Sequence, residues 1–531
     1  MARISHGGII TPEQLQAARN SIANFSATVP LGFTAATTVD LKDFDFLFPE
    51  LQNDPNNLLP ESADTRNNLV RLGKTMRDVS GDSRTGDSKI PAIFTYFGQF
   101  LDHDITLEQT SATLDDLVKP GLTPLTVDKI QRELKNIRTA TLDLDSVYDP
   151  PAPRHGAMME VGDVTKLNGT SKPELRPPNK DDKNDLKRKG RSSQIDIDRE
   201  ALIGDPRNDE NTIVAQLHVA FLRAHNALVN QGKSFEEARR LLRQHYQHIV
   251  INDFLKNIAD PGVVDNILNS GNKVFDGLAE PFFMPLEFSV AAYRFGHSMV
   301  RASYDFNLNF NRSGAPNTFE ATLEFLFTFT ALSGQLGFVT EPTQGFDTLP
   351  DNWIIQWENF VEGNRNPARR IDTKLVEPLF ELRNVDGSTQ KGEAARLAVR
   401  NLLRGYLLRM PTGQAVASAL KLDLLKPSEI EAVASTVEAP EGGERQVDVV
   451  REAGFSQRTP LWYYILAEAA VMADGQRLGS VGSAIVAEVL IGLIRRSDDS
   501  ILRTKDWTPT LPSAEKDTFR LADLLRFAGV L

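Results

Sequence analysis

Phe97-Gly98-Gln99-Phe100-Leu101-Asp102-His103-Asp104 sets polar side chains into an apolar run that extends from Ile93 to Leu107. On a helix, Gln99 and His103 are four residues apart and share a face, whereas Asp102 and Asp104 flank the imidazole on other faces. Charged groups in apolar surroundings are costly unless they are paired or bind a ligand. The pattern therefore predicts one helix, over about 90–110, whose polar side chains serve several functions. An amphipathic core helix with one hydrogen-bonded histidine is the simpler alternative, and the stretch alone leaves it open.

The composition is that of an ordinary globular protein, with 41% hydrophobic and 24% charged residues. A length of 531 residues allows about three domains or one large enzyme domain. The net charge of −12 argues against a general nucleic-acid-binding surface. Because cysteine is absent, the chain has no disulfides, thiol nucleophiles, iron–sulfur clusters or thioether-linked haem.

The sequence has no apolar segment that suggests a membrane protein. The N-terminus, Met1 to Gly8, lacks an apolar stretch of signal-peptide length. The longest apolar run, Ala484 to Ile494, is interrupted by Glu488 and is too short to span a bilayer. We therefore expect no membrane span and no Sec-type leader, and a protein that is either cytoplasmic or exported without a cleaved leader.

The periodicity of the chain is mainly helical. From Asn211 onward apolar residues recur every three or four positions, which predicts buried helical faces. Thr11-Pro12-Glu13 predicts a short helix up to about Asn24, and residues 25–80 are irregular. No strand ladder and no repeat is visible. The sequence thus predicts a mainly α protein, with an N-terminal arm at 1–75 and one large helical domain at 76–531. Further helices are expected at about 127–137, 288–302, 317–334, 392–409, 414–421, 462–473 and 481–497.

Residues 170–200 form the most polar segment of the chain, with proline and charges of both signs. The basic cluster from Lys187 to Arg191 is embedded among acids, so it does not indicate a nucleic-acid-binding patch. The segment predicts a surface loop.

Imidazole chemistry must draw on eight histidines, which are His6, His103, His155, His218, His225, His245, His248 and His297. The first and third of these lie at the terminus and in a proline-rich segment, and are expected to be exposed. His245 and His248 have the spacing of a metal-binding pair, but no acidic partner shows the usual zinc spacing. His218 and His225 are two turns apart, too far to chelate one ion, and are expected to form hydrogen bonds at the edge of the core.

The two remaining histidines are His103 and His297. Gly296 precedes His297 and removes a side chain, so a flat group could approach the imidazole closely. Elsewhere, Arg207 and Glu210 are three residues apart and share the face of a first helical turn. Acids at that place also suit the helix dipole, so this pair alone decides nothing.

Oxygen-bearing side chains alternate at Thr139, Thr141, Asp143 and Asp145. A short loop that wraps Ca²⁺ needs oxygen ligands with such spacing. An acidic turn is the simpler reading of the four residues alone. A further carboxylate would strengthen the calcium interpretation, and Asp104 is available.

Taken together, five motifs in this order resemble the animal-type haem peroxidases of the peroxidase–cyclooxygenase superfamily, which includes bacterial members. The similarity covers about residues 75 to 500, and we expect a bacterial member. It implies a large, single-domain, mainly α haem peroxidase fold with little β structure. The motifs are Phe97–Asp104, Thr139–Tyr148, Gly204–Glu210, Leu217–Asn226 and Ala291–His297.

The resemblance assigns a role to each candidate residue. His103 resembles the distal histidine, Gln99 the distal glutamine and Arg207 the distal arginine. His297 resembles the ligand of the haem iron, and Asn401 its hydrogen-bond partner. Asp102 and Glu210 occupy the positions that form ester bonds to haem methyl groups in the family. Residues 104, 139, 141, 143 and 145 match its calcium ligands, with Thr141 ligating through its carbonyl.

The implied cofactors are haem b, ester-linked through Asp102 and Glu210, and Ca²⁺. The implied activity is reduction of hydrogen peroxide and oxidation of small electron donors, either halides and thiocyanate or phenols, through a ferryl intermediate. A neutral imidazole at His103 can move the proton that peroxide cleavage requires. A fixed guanidinium at Arg207 can stabilise the charge that develops on the leaving oxygen.

The sequence also departs from the family pattern. Asn211 follows Glu210 where the myeloid enzyme has methionine, so no third haem link is expected. Asp145 replaces a serine and adds charge to the calcium site. Gly405-Tyr406 replaces the commoner Gly-Arg, which weakens the assignment of Asn401. The mammalian disulfides are absent.

Two other functions compete with a peroxidase. A fatty-acid dioxygenase of the same superfamily places a tyrosine three residues before the proximal histidine, where this chain has Arg294. Tyr293 lies one position further back, and on a helix its ring is expected to face elsewhere, which favours a peroxidase. The second alternative is a haem-free helical interaction protein that has kept only the fold.

Overall fold

A computed structural model describes residues 42–80, 86–109, 113–166, 182–189, 201–312, 319–328, 330, 348–362, 365–382 and 390–531. The short helix expected at 11–24 lies outside these residues. So does most of the loop expected at 170–200.

Helices dominate the described chain and confirm the mainly α prediction. Ser62, Asn211 and Ser234 cap three of them, each accepting a hydrogen bond from a backbone amide of the first turn. The α-helices are α1 Ala63–Thr75, α2 Ile93–Ile105, α3 Leu114–Val118, α4 Val127–Glu133, α5 Asp145–Tyr148, α6 Thr212–Asn230, α7 Phe235–Ile249, α8 Leu255–Ile258, α9 Pro261–Ser270, α10 Leu323–Thr328, α11 Glu358–Val361, α12 Leu397–Leu407, α13 Gly413–Ala419, α14 Pro427–Ser435, α15 Gln446–Glu452, α16 Leu461–Ala473, α17 Ser480–Arg496 and α18 Leu521–Phe527.

Several segments wind more tightly or more loosely than an α-helix. The helix expected at 288–302 is a π-helix over Glu287–Ala291 followed by a 3₁₀-helix over Ala292–Met299. A second π-helix, Val250–Phe254, joins α7 to α8. The further 3₁₀-helices are Pro49–Asn53, Pro55–Asn57, Pro206–Asp209, Asp351–Trp353, Glu377–Phe380 and Gly392–Ala395.

A small amount of sheet accompanies the helices, so the expectation of no strand ladder is wrong in detail. One sheet has four strands in the order β3–β4–β1–β7, with β1 antiparallel to β4 and parallel to β7. The strands are too short for a visible period-two pattern. They are β1 Lys42–Asp45, β2 Asp87–Pro91, β3 Glu108–Gln109, β4 Lys135–Asn136, β5 Arg154–His155, β6 Met158–Met159, β7 Phe283–Pro285, β8 Ser303–Tyr304, β9 Ala321–Thr322 and β10 Pro367–Arg369.

The helix α2 runs through the centre of one large hydrophobic core. Phe97 and Phe100 are fully buried, and Phe100 stacks on Phe221 of α6 with ring centroids 4.7 Å apart. Tyr246 of α7 meets both phenylalanines edge to face. This packing between α2, α6 and α7 fixes the polar residues of α2, because offset and edge-to-face ring contacts have strong orientational preferences.

One part of the predicted surface loop is buried. Arg188 is 8% exposed and forms ion pairs with Asp185 and Asp209. The surface-loop prediction is therefore wrong at this residue, because its guanidinium is neutralised by two carboxylates of the interior. Within the described part of the chain, no helix is long and apolar enough to cross a membrane.

Candidate active site

A single cavity brings together six of the predicted residues. Its lining comes from α2, from the 3₁₀-turn Pro206–Asp209 and the residue after it, and from the 3₁₀-helix Ala292–Met299. These elements are far apart in sequence. The six residues are Gln99, Asp102, His103, Arg207, Glu210 and His297.

His103 is held by a buried amide. The side chain is 4% exposed, and its Nδ1 lies 2.8 Å from Oδ1 of Asn208. The amide nitrogen of Asn208 in turn lies 3.0 Å from Nδ1 of His218. The sequence analysis missed Asn208, although it stands directly beside Arg207.

The guanidinium of Arg207 is fixed on two sides. Its Nε and Nη2 donate to the carboxylate of Asp205, and Nη2 also donates to the carbonyl oxygens of His103 and Thr106. Asp205 is fully buried and also pairs with Arg138. Although burial opposes it, the attraction of the two guanidinium groups holds the pKa of Asp205 far below its usual range. Arg207 is thus a preorganised positive charge at the end of α2.

Gln99 links α2 to the two residues after the 3₁₀-turn. Its amide nitrogen donates to Glu210 at 3.3 Å, and its oxygen accepts from Nδ2 of Asn211 at 3.0 Å. The carboxylate of Asp102 accepts a hydrogen bond from Oγ1 of Thr106 at 2.8 Å. Both carboxylates, 102 and 210, line the cavity.

His297 contacts the residue that the resemblance names as its partner. Nδ2 of Asn401, on α12, lies 2.8 Å from Nδ1 of His297. Oδ1 of the same amide accepts from Nη1 of Arg294 at 3.0 Å. The unusual Gly405-Tyr406 therefore does not prevent Asn401 from reaching the imidazole.

Tyr293 lies where the sequence analysis did not expect it. Its ring lines the same cavity as His297, and its hydroxyl donates to the carbonyl of Gly98 at 3.2 Å. The expectation was wrong in its own terms, because residues four apart, as 293 and 297 are, already share a face of a regular α-helix. In the 3₁₀-helix over Ala292–Met299 the two side chains are about 120° apart, and both line the cavity. Burial raises the pKa of Tyr293 well above its usual value, so the phenol stays protonated.

Two buried arginines of the cavity wall were also missed. Arg400 and Arg404 lie one turn apart on α12, on either side of Asn401 in the sequence. Burial lowers the pKa of Arg400 to about 10 and that of Arg404 to about 9. Arg404 also forms an ion pair with Glu108. Two cations one turn apart on a predicted apolar helix were the available signal in the sequence.

The predicted calcium residues are close together. Asp104 is fully buried and accepts hydrogen bonds from the amides of Leu144 and Ser146 and from the hydroxyl of Tyr246. Burial raises its pKa to about 7, and the nearby carboxylate of Asp143 adds to the effect.

The loop side of this cluster is hydrogen-bonded to itself. Thr139 donates to Asp145, and Thr141 donates to Asp143. Burial, with the charges of neighbouring carboxylates, raises the pKa of Asp145. Among the described residues, no three acidic or histidine side chains stand in the geometry of a metal site. The cluster has the charge for a cation, but its side chains are turned to hydrogen bonds.

His245 and His248 have structural partners. Nδ1 of His245 donates to the carbonyl of Leu241, and its Nε2 accepts from the amides of Thr510 and Leu511. Nδ1 of His248 is 3.0 Å from Nδ2 of Asn252. The pair is therefore engaged in separate hydrogen bonds rather than facing one ion.

Comparison with known proteins finds similarity to one family. The family described as animal haem peroxidase matches residues 122–335, which are less than half of the chain. Haem is the cofactor expected for this family.

Individual relatives align with only part of this chain. A peroxidase-like protein of Margaritifera margaritifera is 34% identical over 115 residues, which are 19% of this chain and 14% of that protein. Myeloperoxidase of Mus musculus is 24% identical over 310 residues, 47% of this chain and 40% of that protein. The alignments thus span less than half of these curated relatives. Peroxidase A from Dictyostelium discoideum aligns with a TM-score of 0.54 and 15% identity, covering 92% of this chain and 93% of that one, which supports a shared fold.

The residues of the cavity fit the cofactor of the animal haem peroxidases. A Cβ built on Gly296 would meet no atom within 4 Å, so there is open space beside His297. Oγ of Ser289, on the cavity wall, is buried and has no hydrogen-bond partner among the described residues. A group with both apolar rings and carboxylates suits a wall that combines aromatic side chains with four arginines.

Proposed function

We propose that the chain is a haem peroxidase, which reduces hydrogen peroxide and oxidises small electron donors. The observation that carries the proposal is that His103 and His297 line one cavity together with Arg207, although they come from three distant parts of the sequence. A bacterial origin, expected from the resemblance alone, stays part of the proposal. We retain the division into an arm at 1–75 and a catalytic domain at 76–531.

In this proposal, His297 would hold the haem iron through Nε2 and carry its hydrogen on Nδ1. The amide of Asn401 would then turn its oxygen to that hydrogen, in place of the nitrogen that faces Nδ1 here. The carboxylates of Asp102 and Glu210 would be the sites of the ester links to the haem, and the arginines at 294, 400 and 404, which line the same cavity, would pair with its carboxylates. Haem, when bound, supplies the redox equivalents that the protein side chains lack.

The residues on α2 and on the 3₁₀-turn move protons and stabilise charge. His103 accepts the proton from the inner oxygen of hydrogen peroxide at Nε2 and returns it to the outer oxygen, which leaves as water. Arg207 stabilises the negative charge that builds up on that outer oxygen, and its bonds to Asp205 mean that it need not reorganise during the step. Gln99 orients water or a halide near the imidazole.

The calcium residues have a structural role in this proposal. Asp104 directly follows His103, so a cation bound by Asp104, Asp143 and Asp145, with oxygens of Thr139 and Thr141, holds α2 in place. The support is the raised pKa of Asp104 and Asp145, which marks a place where a cation would relieve the cost of buried charge.

Rapid mixing of the haem-loaded protein with hydrogen peroxide tests the function. We expect the Soret band to shift within seconds, and to return when bromide, iodide, thiocyanate or a phenol is added. The donor that restores the resting spectrum fastest identifies the substrate class. A haem-loaded protein whose spectrum ignores peroxide would contradict the proposal, and a purified chain that takes up no haem would favour the haem-free interaction protein.

A fatty-acid dioxygenase is the second candidate, because Tyr293 lines the cavity. The phenol is held by the carbonyl of Gly98, which orients it at the edge of the same space. Oxygen uptake with a fatty acid, without added peroxide, would support this function if it disappears in Tyr293→Phe. No uptake, or equal uptake by the variant, favours the peroxidase.

A further inference from the structure

Three buried side chains form a row that leads away from the cavity. They are His103 of α2, Asn208 of the 3₁₀-turn and His218 of α6, and the last two are fully buried. Oδ1 of Asn208 lies 2.8 Å from Nδ1 of His103, and Nδ2 lies 3.0 Å from Nδ1 of His218. We propose that Asn208 and His218 are positioning residues, which hold His103 as the tautomer with its hydrogen on Nδ1 and an unprotonated Nε2. The inference rests on the proposed role of His103 as the proton acceptor.

The amide of Asn208 presents a different end to each imidazole. An amide has one oxygen that accepts and one nitrogen that donates, so its two ends make different demands on the two rings. Its oxygen faces Nδ1 of His103, and its nitrogen faces Nδ1 of His218, which can accept the hydrogen bond. Burial lowers the pKa of His218 to about 3, so this ring stays neutral and has a nitrogen with a free lone pair to accept it.

His218 is itself fixed by packing. Phe100 meets its ring edge to face, with centroids 6.2 Å apart and planes 75° apart. The backbone amide of Asn208 donates to the carbonyl of Asp205 at 3.0 Å, which holds the 3₁₀-turn on the other side. The amide therefore has one favoured direction, with its oxygen toward His103.

The direction of the amide determines which nitrogen of His103 carries the hydrogen. With Oδ1 facing Nδ1, the hydrogen of the neutral ring stays on Nδ1 and Nε2 keeps its lone pair. If the amide turned by 180°, Nδ2 would face Nδ1 and the hydrogen would move to Nε2. A ring with Nε2–H cannot accept the peroxide proton there. The row thus selects the tautomer that a general base requires.

The test compares substitutions that keep or remove the oxygen facing His103. Asn208→Leu removes it, Asn208→Asp keeps an oxygen in the same place, and His218→Phe removes the anchor of the amide. His225→Phe is the matched control, because His225 lies on the same helix, α6, and its ring bonds to Tyr148 and the carbonyl of Ala157 instead. All four variants are prepared as full-length, haem-loaded protein.

Two quantities are measured, the rate constant for the reaction with peroxide and the dissociation constant of cyanide from the Soret band. Cyanide enters as HCN and needs a base for its proton. Its affinity therefore measures whether Nε2 of His103 can accept a proton, without catalytic turnover. We expect Asn208→Leu and His218→Phe to lower the rate constant by about 10- to 100-fold and to weaken cyanide binding. Asn208→Asp should lose clearly less than Asn208→Leu, because an acceptor oxygen remains, and His225→Phe should stay near the wild type, with haem content unchanged throughout.

Equal losses in Asn208→Asp and Asn208→Leu would overturn the inference, because a purely structural role does not distinguish them by the acceptor oxygen. Wild-type values in His218→Phe would overturn the part played by that residue. If Asn208→Leu does not fold, His218→Phe against His225→Phe still decides. A wild-type protein that binds haem and ignores peroxide would instead refute the proposed function.

Discussion

The two imidazoles of the cavity are positioned in different ways. His103 belongs to a regular α-helix, α2, which also supplies Gln99 and Asp102 to the cavity. His297 lies in a 3₁₀-helix that follows a π-helix, and its Nδ1 is met by Asn401, 104 residues further along the chain. The difference shows that one helix can place several functional groups by its own period, whereas an irregular segment depends on a partner from elsewhere in the fold.

The largest expected effect comes from substituting His297 in the 3₁₀-helix Ala292–Met299. His297→Ala removes the imidazole that the proposal assigns to iron, so we expect the purified protein to lose most of its haem. The ratio of Soret to protein absorbance measures this. His155→Ala, at an exposed histidine of β5, is the control and should keep its haem. Normal haem content in His297→Ala would refute the assignment of this ligand.

Substitutions on the His103 side of the cavity, beside α2, should affect haem binding less than His297→Ala does. They should strongly lower the rate of the reaction with peroxide. Arg207→Ala should keep its haem and react with peroxide about 10²- to 10³-fold more slowly, because a preorganised positive charge is lost. Arg207→Lys should recover part of the rate, since the charge remains but the two-pronged contact with Asp205 does not. Stopped-flow absorbance gives these rate constants. Arg239→Ala, at a partly exposed residue of α7, serves as the control, and wild-type kinetics in Arg207→Ala would remove its role.

Ester bonds would attach the haem to Asp102 of α2 and to Glu210, which follows the 3₁₀-turn. After denaturation in acidified organic solvent, we expect haem to remain with the polypeptide in the wild type and in Asp102→Asn or Glu210→Gln alone. The double variant should release it, because each carboxylate supplies one link. Mass spectrometry of the polypeptide measures the attached mass. Haem that is free in the solvent from wild-type protein would contradict the ester assignment.

The calcium cluster supports the helix rather than the chemistry, so a smaller effect is expected from its loss. A chelator should lower the melting temperature by several degrees, since an ion that binds only the folded state stabilises it. Asp145→Asn should have the lower melting temperature already and respond little to the chelator. Asp128→Asn, at an exposed residue of α4, should behave like the wild type. A melting temperature that ignores both chelator and added Ca²⁺ would exclude the ion.

The smallest expected effect, on the pH dependence of stability, comes from the π-helix that precedes the segment of His297. Glu287 opens its π-helix, accepts hydrogen bonds from the amides of Leu47 and Phe48, and has its pKa raised by burial to about 7. A folded-state pKa above the unfolded one means that the proton stabilises the fold at low pH, and this contribution is lost as the pH rises from about 4.5 to about 7. Glu287→Gln should flatten that part of the pH dependence of the unfolding free energy by about 1–3 kcal/mol.

Urea titrations at several pH values measure this slope. Glu50→Gln, at an exposed glutamate of the 3₁₀-helix Pro49–Asn53, is the control and should leave the slope unchanged. An unchanged slope in Glu287→Gln would mean that this carboxyl group does not bind a proton on folding in this range.

The sequence was most informative where the structure is most regular. The apolar run around His103 predicted α2, and its period predicted that Gln99 and His103 lie on the same face. Tyr293 was misplaced because the rule that residues four apart share a helical face was applied to Gln99 and His103 but not to Tyr293 and His297. The short strands were invisible because two to five residues carry no readable alternation.

Long-range polar contacts were the part that no local pattern could reveal. Asn208 is an asparagine in a turn, a common place for that residue, and nothing in its surroundings indicates that it bridges two histidines. The buried ion pairs of Arg188 required knowing that Asp209 lies beside it in space. The haem assignment came from ordered motifs, each weak alone, whose meeting at one cavity depends on the whole fold.

The most direct test of the account is a titration of the full-length, haem-free chain with haemin, followed by Soret absorbance. We expect a sharp break at one haem per chain, a spectrum different from that of free haemin, and no such break in His297→Ala. Absorbance that rises in proportion to added haemin, with the spectrum of the free cofactor, would show that no haem lies between His103 and His297.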